Sequence, residues 1–226
     1  YFDTNPMERN RGITIFSKQT SFQWREVCFN LLDTPGHVDF AAEMERTLPV
    51  LDYGVLIISA NDGIQAHTVT LWKLLEKYGI PTFIFINKMD LSYRKENELM
   101  EILREKFGNG VVNFSDKENF ADDLSLASET LTEAMLDRES IRPDEICDAI
   151  CNREIFPCFF GTALKNEGVK EFLDGLSEYT VFPDYSGDFS ASTYKIIRDE
   201  KGERLTFVKV TGGEIRVKDS LDGEKI

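Results

Sequence analysis

The sequence predicts an α/β fold, a parallel sheet with helices on both faces, followed by the start of an antiparallel β-domain. Three observations lead to this prediction. Continuous apolar runs alternate with segments whose apolar residues recur at helical spacing through most of the 226 residues. Short polar motifs follow three of the apolar runs. Near the end of the sequence, apolar and polar residues alternate as in exposed strands. Continuous apolar runs are typical of strands that are buried on both faces of a parallel sheet.

The first elements are predicted to be a hairpin and a helix. Ile13–Trp24 and Val27–Asp33 have the composition of strands, and the short connection at Arg25 favours an antiparallel pair. A helix is predicted next, because apolar residues recur at every fourth position until Pro49 ends the pattern. These residues are Phe40, Met44 and Leu48.

Three later apolar runs are predicted to be buried parallel strands, at Val55–Ala60, Thr82–Asn87 and Phe156–Phe160. A helix is expected between the first two, and Gly79 closes it. Its apolar stripe is Leu71, Leu75 and Tyr78. Another helix is expected after the third run, with its stripe at Val169, Phe172, Leu173 and Leu176. Strand and helix therefore alternate, which is the pattern of an α/β sheet.

The pattern of residue types changes at two places in the chain. From about Leu91 to Ile155 the pattern is helical, and residues 96–154 contain 16 acidic and 6 basic residues, which predicts a solvated helical insert. After about Phe182 a linker leads to strands at Tyr194–Arg198 and Arg204–Thr211, and the glycines at 212–213 turn the chain into a strand at 214–217. We therefore expect a first domain at residues 1–182, with its insert at about 91–155, and the start of an antiparallel β-barrel at 183–226.

Composition excludes several classes of protein. The net charge of −14 argues against general affinity for nucleic acid, which needs clustered Lys and Arg. No apolar run approaches the roughly 20 residues of a membrane span, and the polar first residues lead us to expect no secretory leader. The four cysteines lack CxxC spacing and are expected to be buried, reduced thiols, which is typical of a cytosolic protein.

Polar residues follow three of the predicted strands, and ligands of open α/β sheets bind beyond the carboxyl ends of the strands. The first signature is DTPGH, which comprises Asp33, Thr34, Pro35, Gly36 and His37. Asp33 can hold a hydrated Mg²⁺, which prefers oxygen ligands, and Gly36 allows a backbone N–H to approach a phosphate closely. The alternative is an ordinary turn in which Asp33 or Thr34 caps the following helix.

The second signature is NKMD, which comprises Asn87, Lys88, Met89 and Asp90. The Asp90 carboxylate can accept two hydrogen bonds from adjacent donors of guanine, which adenine lacks. Asn87 is expected to hold the loops together, and Lys88 to lay its aliphatic stem over the base. Without the other signatures, this motif is more often a turn.

The third signature is a small-residue loop that comprises Gly161, Thr162 and Ala163. It is expected to bring a backbone N–H to the carbonyl of the base. The residue types alone are a weak signal, and the prediction depends on the position of the loop after the third strand.

RGITI, at residues 11–15, precedes these signatures and contains a threonine in a polar segment near the start of the chain. We expect the Thr14 hydroxyl to bind Mg²⁺ and its N–H to contact the terminal phosphate, in a loop that becomes ordered around a triphosphate. His37 is expected to face the attacking water and to orient it electrostatically, since phosphoryl transfer depends mostly on positioning and charge stabilisation.

RGITI, DTPGH, NKMD and GTAL, in this order, resemble the G domain of the translational GTPases. VLDYGVLIISANDGIQAHT, TSFQW and residues 204–220 are most similar to the tetracycline-resistance ribosomal protection proteins, which are relatives of elongation factor G. The resemblance implies a GTPase that releases tetracycline from the ribosome, with GTP and Mg²⁺ as cofactors, ribosomal RNA as the activator of His37, and a monomeric state.

One departure from the family is that the 226 residues contain no GxxxxGK(S/T) motif, which cradles phosphates in P-loop proteins. The resemblance implies that this motif and the first strand precede RGITI, so we expect the sequence to be a fragment that does not hydrolyse GTP alone. Two other functions stay open. They are a translocase like elongation factor G, and a non-catalytic module that binds the ribosome without a phosphate loop.

Overall fold

The computed structural model describes Thr14 and residues 17–36, 41–199, 201–221 and 224–225. The predicted first strand begins later than expected, at Lys18, and its residues Ile13, Ile15 and Phe16 lie outside the described part. His37 and Phe40 lie outside it as well.

A four-stranded parallel sheet forms the centre of the fold and confirms the predicted α/β class. Its strands are β3 (Gly54–Ser59), β4 (Thr82–Asn87), β5 (Val111–Asn113) and β6 (Phe156–Phe160), in the order β3-β4-β6-β5. The main helices are α1 (Ala41–Thr47), α2 (Ala66–Lys77), α3 (Glu96–Phe107), α4 (Phe120–Ala127), α5 (Glu129–Arg138), α6 (Pro143–Cys151) and α7 (Val169–Tyr179).

Helices pack on both faces of the sheet. On one face, Trp72 of α2 stacks on Phe107 of α3 at 4.3 Å between ring centroids and meets Phe156 of β6 edge-on at 4.6 Å. On the other face, Phe83 and Phe159 pack with buried residues of α4 to α7. These residues are Leu124, Leu131, Ile146, Ile150 and Leu176. Burial of these large apolar side chains is the main stabilising term of the domain.

Strand β3 is less buried than its apolar sequence predicts. In the part of the chain that the structure describes, β3 pairs only with β4 and forms an edge of the sheet. Val55 is 39% exposed and Ile57 is 63% exposed, whereas the neighbouring strand β4 is buried from Thr82 to Ile86. The prediction of burial on both faces is therefore correct for β4 and wrong for β3. Val55 and Ile57 alternate with the buried Leu56 and Ile58, so one face of this edge strand is not covered by the described helices.

The predicted hairpin forms a separate two-stranded sheet of β1 (Lys18–Trp24) and β2 (Val27–Asp33). Its turn docks on α7, where the Trp24 indole N–H donates to Asp174 at 2.9 Å and the Arg25 guanidinium lies 2.8 Å from the same carboxylate. The hairpin is thus attached to the helical layer by side chains. Among the described residues, no strand pairing joins it to the central sheet.

The acidic segment contains one strand that the sequence pattern did not predict. Strand β5 is only three residues long, and it extends the sheet beside β6 between α3 and α4. The rest of the segment is helical, as predicted. The Ser128 hydroxyl caps α5 by accepting the Leu131 N–H at 3.3 Å, and it donates to Glu154 at 2.6 Å.

The end of the chain forms an antiparallel ribbon of β7 (Ser190–Arg198) and β8 (Arg204–Gly212), as predicted. The predicted strand at 214–217 is wrong, because these residues lead into a turn that the Arg216 N–H stabilises by donating to Asp219 at 2.6 Å. The next pair is β9 (Ser220–Leu221) with β10 (Glu224–Lys225). The ribbon contacts the first domain, since Lys209 lies 2.5 Å from Asp52 and Tyr194 donates to Gln19 at 2.7 Å.

The cysteines agree only partly with the prediction of buried thiols. Cys147 and Cys158 are buried and Cys151 is half-buried, whereas Cys28 is exposed because its side chain points away from the packed face of β2. Burial raises the pKa of the Cys158 thiol and keeps it protonated. Among the helices that the structure describes, none combines the length and apolar character that crossing a bilayer requires.

Candidate nucleotide-binding site

The loops that follow β4 and β6 are joined by the side chain of Asn87. Its Oδ1 atom accepts the Lys88 N–H at 2.8 Å and the Ala163 N–H at 3.0 Å. A backbone bond adds to this link, because the Met89 N–H donates to the Gly161 carbonyl at 3.2 Å. These bonds form because β4 and β6 are neighbours in the sheet and end at the same edge.

The NKMD segment turns sharply where β4 ends. Lys88 adopts the left-handed conformation with φ of 62°, and Met89–Leu91 form one turn of 3₁₀ helix. The hydrogen bond from Lys88 to Asn87 offsets the strain of a non-glycine residue in that region. The turn leaves the Lys88 side chain exposed beside the cleft described below.

The loop after β6 is packed so closely that only glycine fits at its start. A Cβ atom on Gly161 would lie 2.3 Å from the Glu167 carbonyl oxygen and 2.8 Å from the Phe85 ring. Thr162 is buried and forms an isolated bridge with Glu167 through two backbone hydrogen bonds, at 2.9 and 3.2 Å. The loop is therefore rigid, and its conformation depends on the glycine at position 161.

The backbone N–H of Ala163 donates to the side chain of Asn87 in the neighbouring loop. The expectation that this loop offers a backbone N–H to the carbonyl of a base stays a prediction. In the described structure this donor joins the two loops.

Asp90, the predicted selector of the base, forms an ion pair that the sequence analysis missed. The Lys165 ammonium lies 2.9 Å from Asp90 Oδ2, and the two side chains are 52% and 23% exposed. The hydrogen bond to Asp90 and the charge of its carboxylate raise the pKa of Lys165. The feature of the sequence that could have indicated this ion pair is the lysine directly after GTAL, in the loop already identified.

The DTPG segment is not joined to these loops by strand pairing. Asp33 is the last residue of β2 and lies opposite Lys18 of β1. Thr34 is half-buried, Pro35 is buried and Gly36 is exposed. The structure thus places two of the three signatures side by side, and it places the third on a separate sheet.

Ser17 connects the Thr14 segment to the helix that follows DTPGH, and this connection was not predicted. Ser17 is 3% exposed, and its N–H and hydroxyl both donate to Glu43 of α1, at 3.5 and 3.3 Å. The Ser17 carbonyl accepts a hydrogen bond from the Lys195 ammonium of β7. No local pattern of the sequence indicated this connection, because the partners of Ser17 are distant along the chain. Thr14 itself is half-buried, and His37 lies outside the described residues.

A cleft of about 270 Å³ opens at the carboxyl ends of β3 and β4. Polar side chains at its rim include Asp62, His67, Asn87 and Lys88. Its volume is close to the lower limit for pockets that bind small molecules. His67 is exposed and lines this cleft.

The donors predicted for Mg²⁺ are the Thr14 hydroxyl and the Asp33 carboxylate. Both are hard oxygen ligands, and two of them suit Mg²⁺ because this ion keeps several waters. Throughout the described ranges, no cluster of three or more acidic, histidine or cysteine side chains is arranged to hold a metal. A site with Thr14 and Asp33 as its protein donors would hold a hydrated ion, and this stays a prediction.

Residues 1–181 match the protein family described as the elongation factor Tu GTP binding domain. The chain belongs to this family. The tetracycline resistance protein TetP of Clostridium perfringens is 37% identical over 245 residues, which cover 97% of this chain and 38% of that protein. TetO of Streptococcus mutans is 33% identical over 238 residues, covering 97% of this chain and 37% of TetO. The chain thus spans less than two-fifths of the length of these relatives.

The fold of this GTP binding domain is also found in a solved structure. The crystal structure of ttk003000868 from Thermus thermophilus superposes with a TM-score of 0.84 at 19% identity, covering 96% of this chain and 40% of that one. Within the elongation factor Tu GTP binding domain family, the two loops joined by Asn87 are the candidate site for the base.

Proposed function

We propose that the native protein is a ribosome-dependent GTPase of the translation-factor class, which protects the ribosome from tetracycline by GTP-driven release of the drug. Membership of the elongation factor Tu GTP binding domain family supports the guanine nucleotide as ligand. The names of TetP and TetO support tetracycline resistance as the biological role.

One observation carries the proposal, namely the hydrogen bonds of Asn87 to the loops after β4 and β6. They bring Asp90 and Ala163 to one edge of the sheet, where a planar base can meet both. In this proposal the Asp90 carboxylate accepts the ring N–H and the amino group of guanine. The stem of Lys88 covers the face of the base.

The phosphates are proposed to lie towards the DTPG segment. There the exposed Gly36 follows Thr34 and Pro35, and a residue without a side chain would let its N–H approach an oxygen of the terminal phosphate. Thr14 and Asp33 would hold Mg²⁺, Asp33 through a water. The ion, when bound, offsets negative charge on the phosphates.

His37 is proposed to orient the attacking water. An imidazole next to the terminal phosphate can hold a water in line and stabilise developing charge without removing a proton in advance. Contact with ribosomal RNA is proposed to bring the imidazole into this position, which makes hydrolysis dependent on the ribosome.

The proposed setting is the cytoplasm, with the ribosome and GTP or GDP as partners, no DNA, no membrane, and a monomeric protein. The net charge of −14 supports this choice, because general affinity for DNA requires the opposite charge balance. The proposed domain boundaries are 1–182 for the GTP-binding domain and 183–226 for the linker and the start of the β-barrel.

The test measures GTP hydrolysis by the native protein with and without ribosomes, and then protein synthesis by ribosomes inhibited with tetracycline. We expect ribosomes to stimulate hydrolysis and the protein to restore synthesis. The His37→Ala variant should lose the stimulated hydrolysis but keep its affinity for GDP.

Three outcomes would contradict parts of the proposal. Support of translocation without relief of tetracycline inhibition would favour an elongation factor G-like translocase. Ribosome binding without any hydrolysis would favour a non-catalytic module. Equal loss of GDP binding in His37→Ala would remove His37 from the catalytic role.

A further inference from the structure

The side chain of Lys165 is placed by a rigid turn. Residues Ala163–Lys165 form one turn of 3₁₀ helix, in which the Lys165 N–H donates to the Thr162 carbonyl at 2.9 Å. Asn166 ends the turn in the left-handed conformation, with φ of 58°. The backbone bridge between Thr162 and Glu167 joins the two ends of the loop that contains this turn. The backbone of Lys165 is therefore held at both ends, and its ammonium reaches the neighbouring loop.

The ion pair engages one oxygen of the Asp90 carboxylate. The Lys165 Nζ atom lies 2.9 Å from Oδ2. The terminal torsion angle of an aspartate side chain has a broad distribution. A carboxylate without a fixed partner therefore adopts many orientations of its plane. A contact to one oxygen restricts this rotation and fixes the plane of the group.

The energy of such a pair argues against a mainly structural role. Lys165 is 52% exposed, and ion pairs that open to solvent contribute little to the free energy of unfolding. The two loops are in any case joined by Asn87 and by the bond from Met89 to Gly161. The contribution of Lys165 to stability is small, whereas its contribution to the orientation of Asp90 is direct.

We propose that Lys165 is a positioning residue that sets guanine specificity by fixing the plane of the Asp90 carboxylate. This inference rests on the proposed function, because it assumes that Asp90 faces a guanine base. Guanine carries a ring N–H and an amino group, and a carboxylate accepts both only when its plane matches that of the base. Hypoxanthine keeps the ring N–H and lacks the amino group, so it depends less on that plane.

The test compares the dissociation constants of the native protein for GDP and for inosine diphosphate, measured by calorimetry. The wild-type protein should prefer GDP. In Lys165→Met the ratio of the two constants should fall about tenfold, which is the change expected when one hydrogen bond to a charged group is weakened. Lys165→Arg should keep the ratio within about twofold, because it restores the cation.

Two further variants separate positioning from folding. Lys165→Gln keeps a hydrogen-bond donor without the charge, and it should also lower the ratio. Lys170→Met removes an exposed lysine at the start of α7 and should leave the ratio unchanged. Thermal denaturation of each variant checks that the fold is retained.

An unchanged ratio in Lys165→Met and Lys165→Gln would overturn the inference. Equal weakening of both nucleotides, at a constant ratio, would also overturn it, because that result indicates a structural role. A wild-type protein that binds neither nucleotide would refute the proposed function itself, together with the role of Lys165. The failure of one proposal is thus distinguishable from the failure of the other.

Discussion

The side-chain oxygen of Asn87 lies 3.0 Å from the backbone nitrogen of Ala163, a residue 76 positions further along the chain. The same oxygen accepts the N–H of Lys88 at 2.8 Å. One amide group thus fixes the loop in which it lies and the loop that follows the neighbouring strand. Removal of this amide group leaves two backbone donors without their shared acceptor. A substitution of Asn87 is therefore expected to affect both loops.

Asn87→Ala is expected to lower the free energy of unfolding by about 0.5–1.5 kcal/mol, because the exposed N–H groups of Lys88 and Ala163 lose their shared acceptor and must bond to water instead. It should also weaken GDP binding. Urea denaturation and calorimetry measure the two effects. Asn61→Ala, in the exposed loop after β3, is the matched control and should change neither quantity. A stability like that of the control would show that the bonds of Asn87 are unimportant.

Gly161→Ala is expected to destabilise the protein by about 1–3 kcal/mol or more, because the added methyl group would overlap the Glu167 carbonyl and the Phe85 ring. Gly36→Ala is the matched comparison, since no atom of the described residues lies within 4 Å of its added Cβ. It should leave the free energy of unfolding within about 0.5 kcal/mol of wild type and should weaken GTP binding. Urea midpoints and calorimetry test both variants, and equal destabilisation of the two would contradict the packing argument.

Asp90→Asn is expected to move the preference from guanine to xanthine nucleotides. The amide offers a donor where the carboxylate accepted one, and xanthine carries a carbonyl in place of the amino group of guanine. Competition of GTP and xanthosine triphosphate for the native protein measures the preference. Unchanged selectivity for GTP would exclude Asp90 from base recognition.

Asp174→Ala is expected to lower stability near neutral pH, and the difference from wild type should shrink in acid. The Trp24 indole donates to Asp174, and this bond, together with the Arg25 charge, lowers the pKa of the carboxyl group in the folded state. A lowered folded pKa means that the contribution is present above the unfolded pKa of about 3.9 and is lost as the pH falls through the folded value.

Urea midpoints for wild type and Asp174→Ala, measured from pH 7 to pH 3, test this dependence. Asp137→Ala, on the exposed end of α5, is the control for loss of a surface carboxylate. A difference between Asp174→Ala and wild type that stays constant with pH would show that the carboxylate charge plays no part in docking the hairpin.

The strands were predictable where the local pattern is strong. The apolar runs at β4 and β6 are continuous, and both strands lie within one residue of the predicted bounds. Strand β5 escaped prediction, because three residues show no periodicity of their own and depend on β6 for pairing. The exposure of Ile57 was not predictable either, since it depends on where β3 lies in the order of the strands.

By itself, the sequence determined most of the strand and helix order, the polar signatures at the strand ends and the resemblance to translational GTPases, because these are local patterns of residue types. Only the tertiary structure decided which signatures meet. Asn87 contacts Ala163, and Asp90 contacts Lys165, because β4 and β6 are neighbours in the sheet. Strand neighbours are set by packing between segments distant in the chain, and a single sequence does not encode that adjacency in any local pattern.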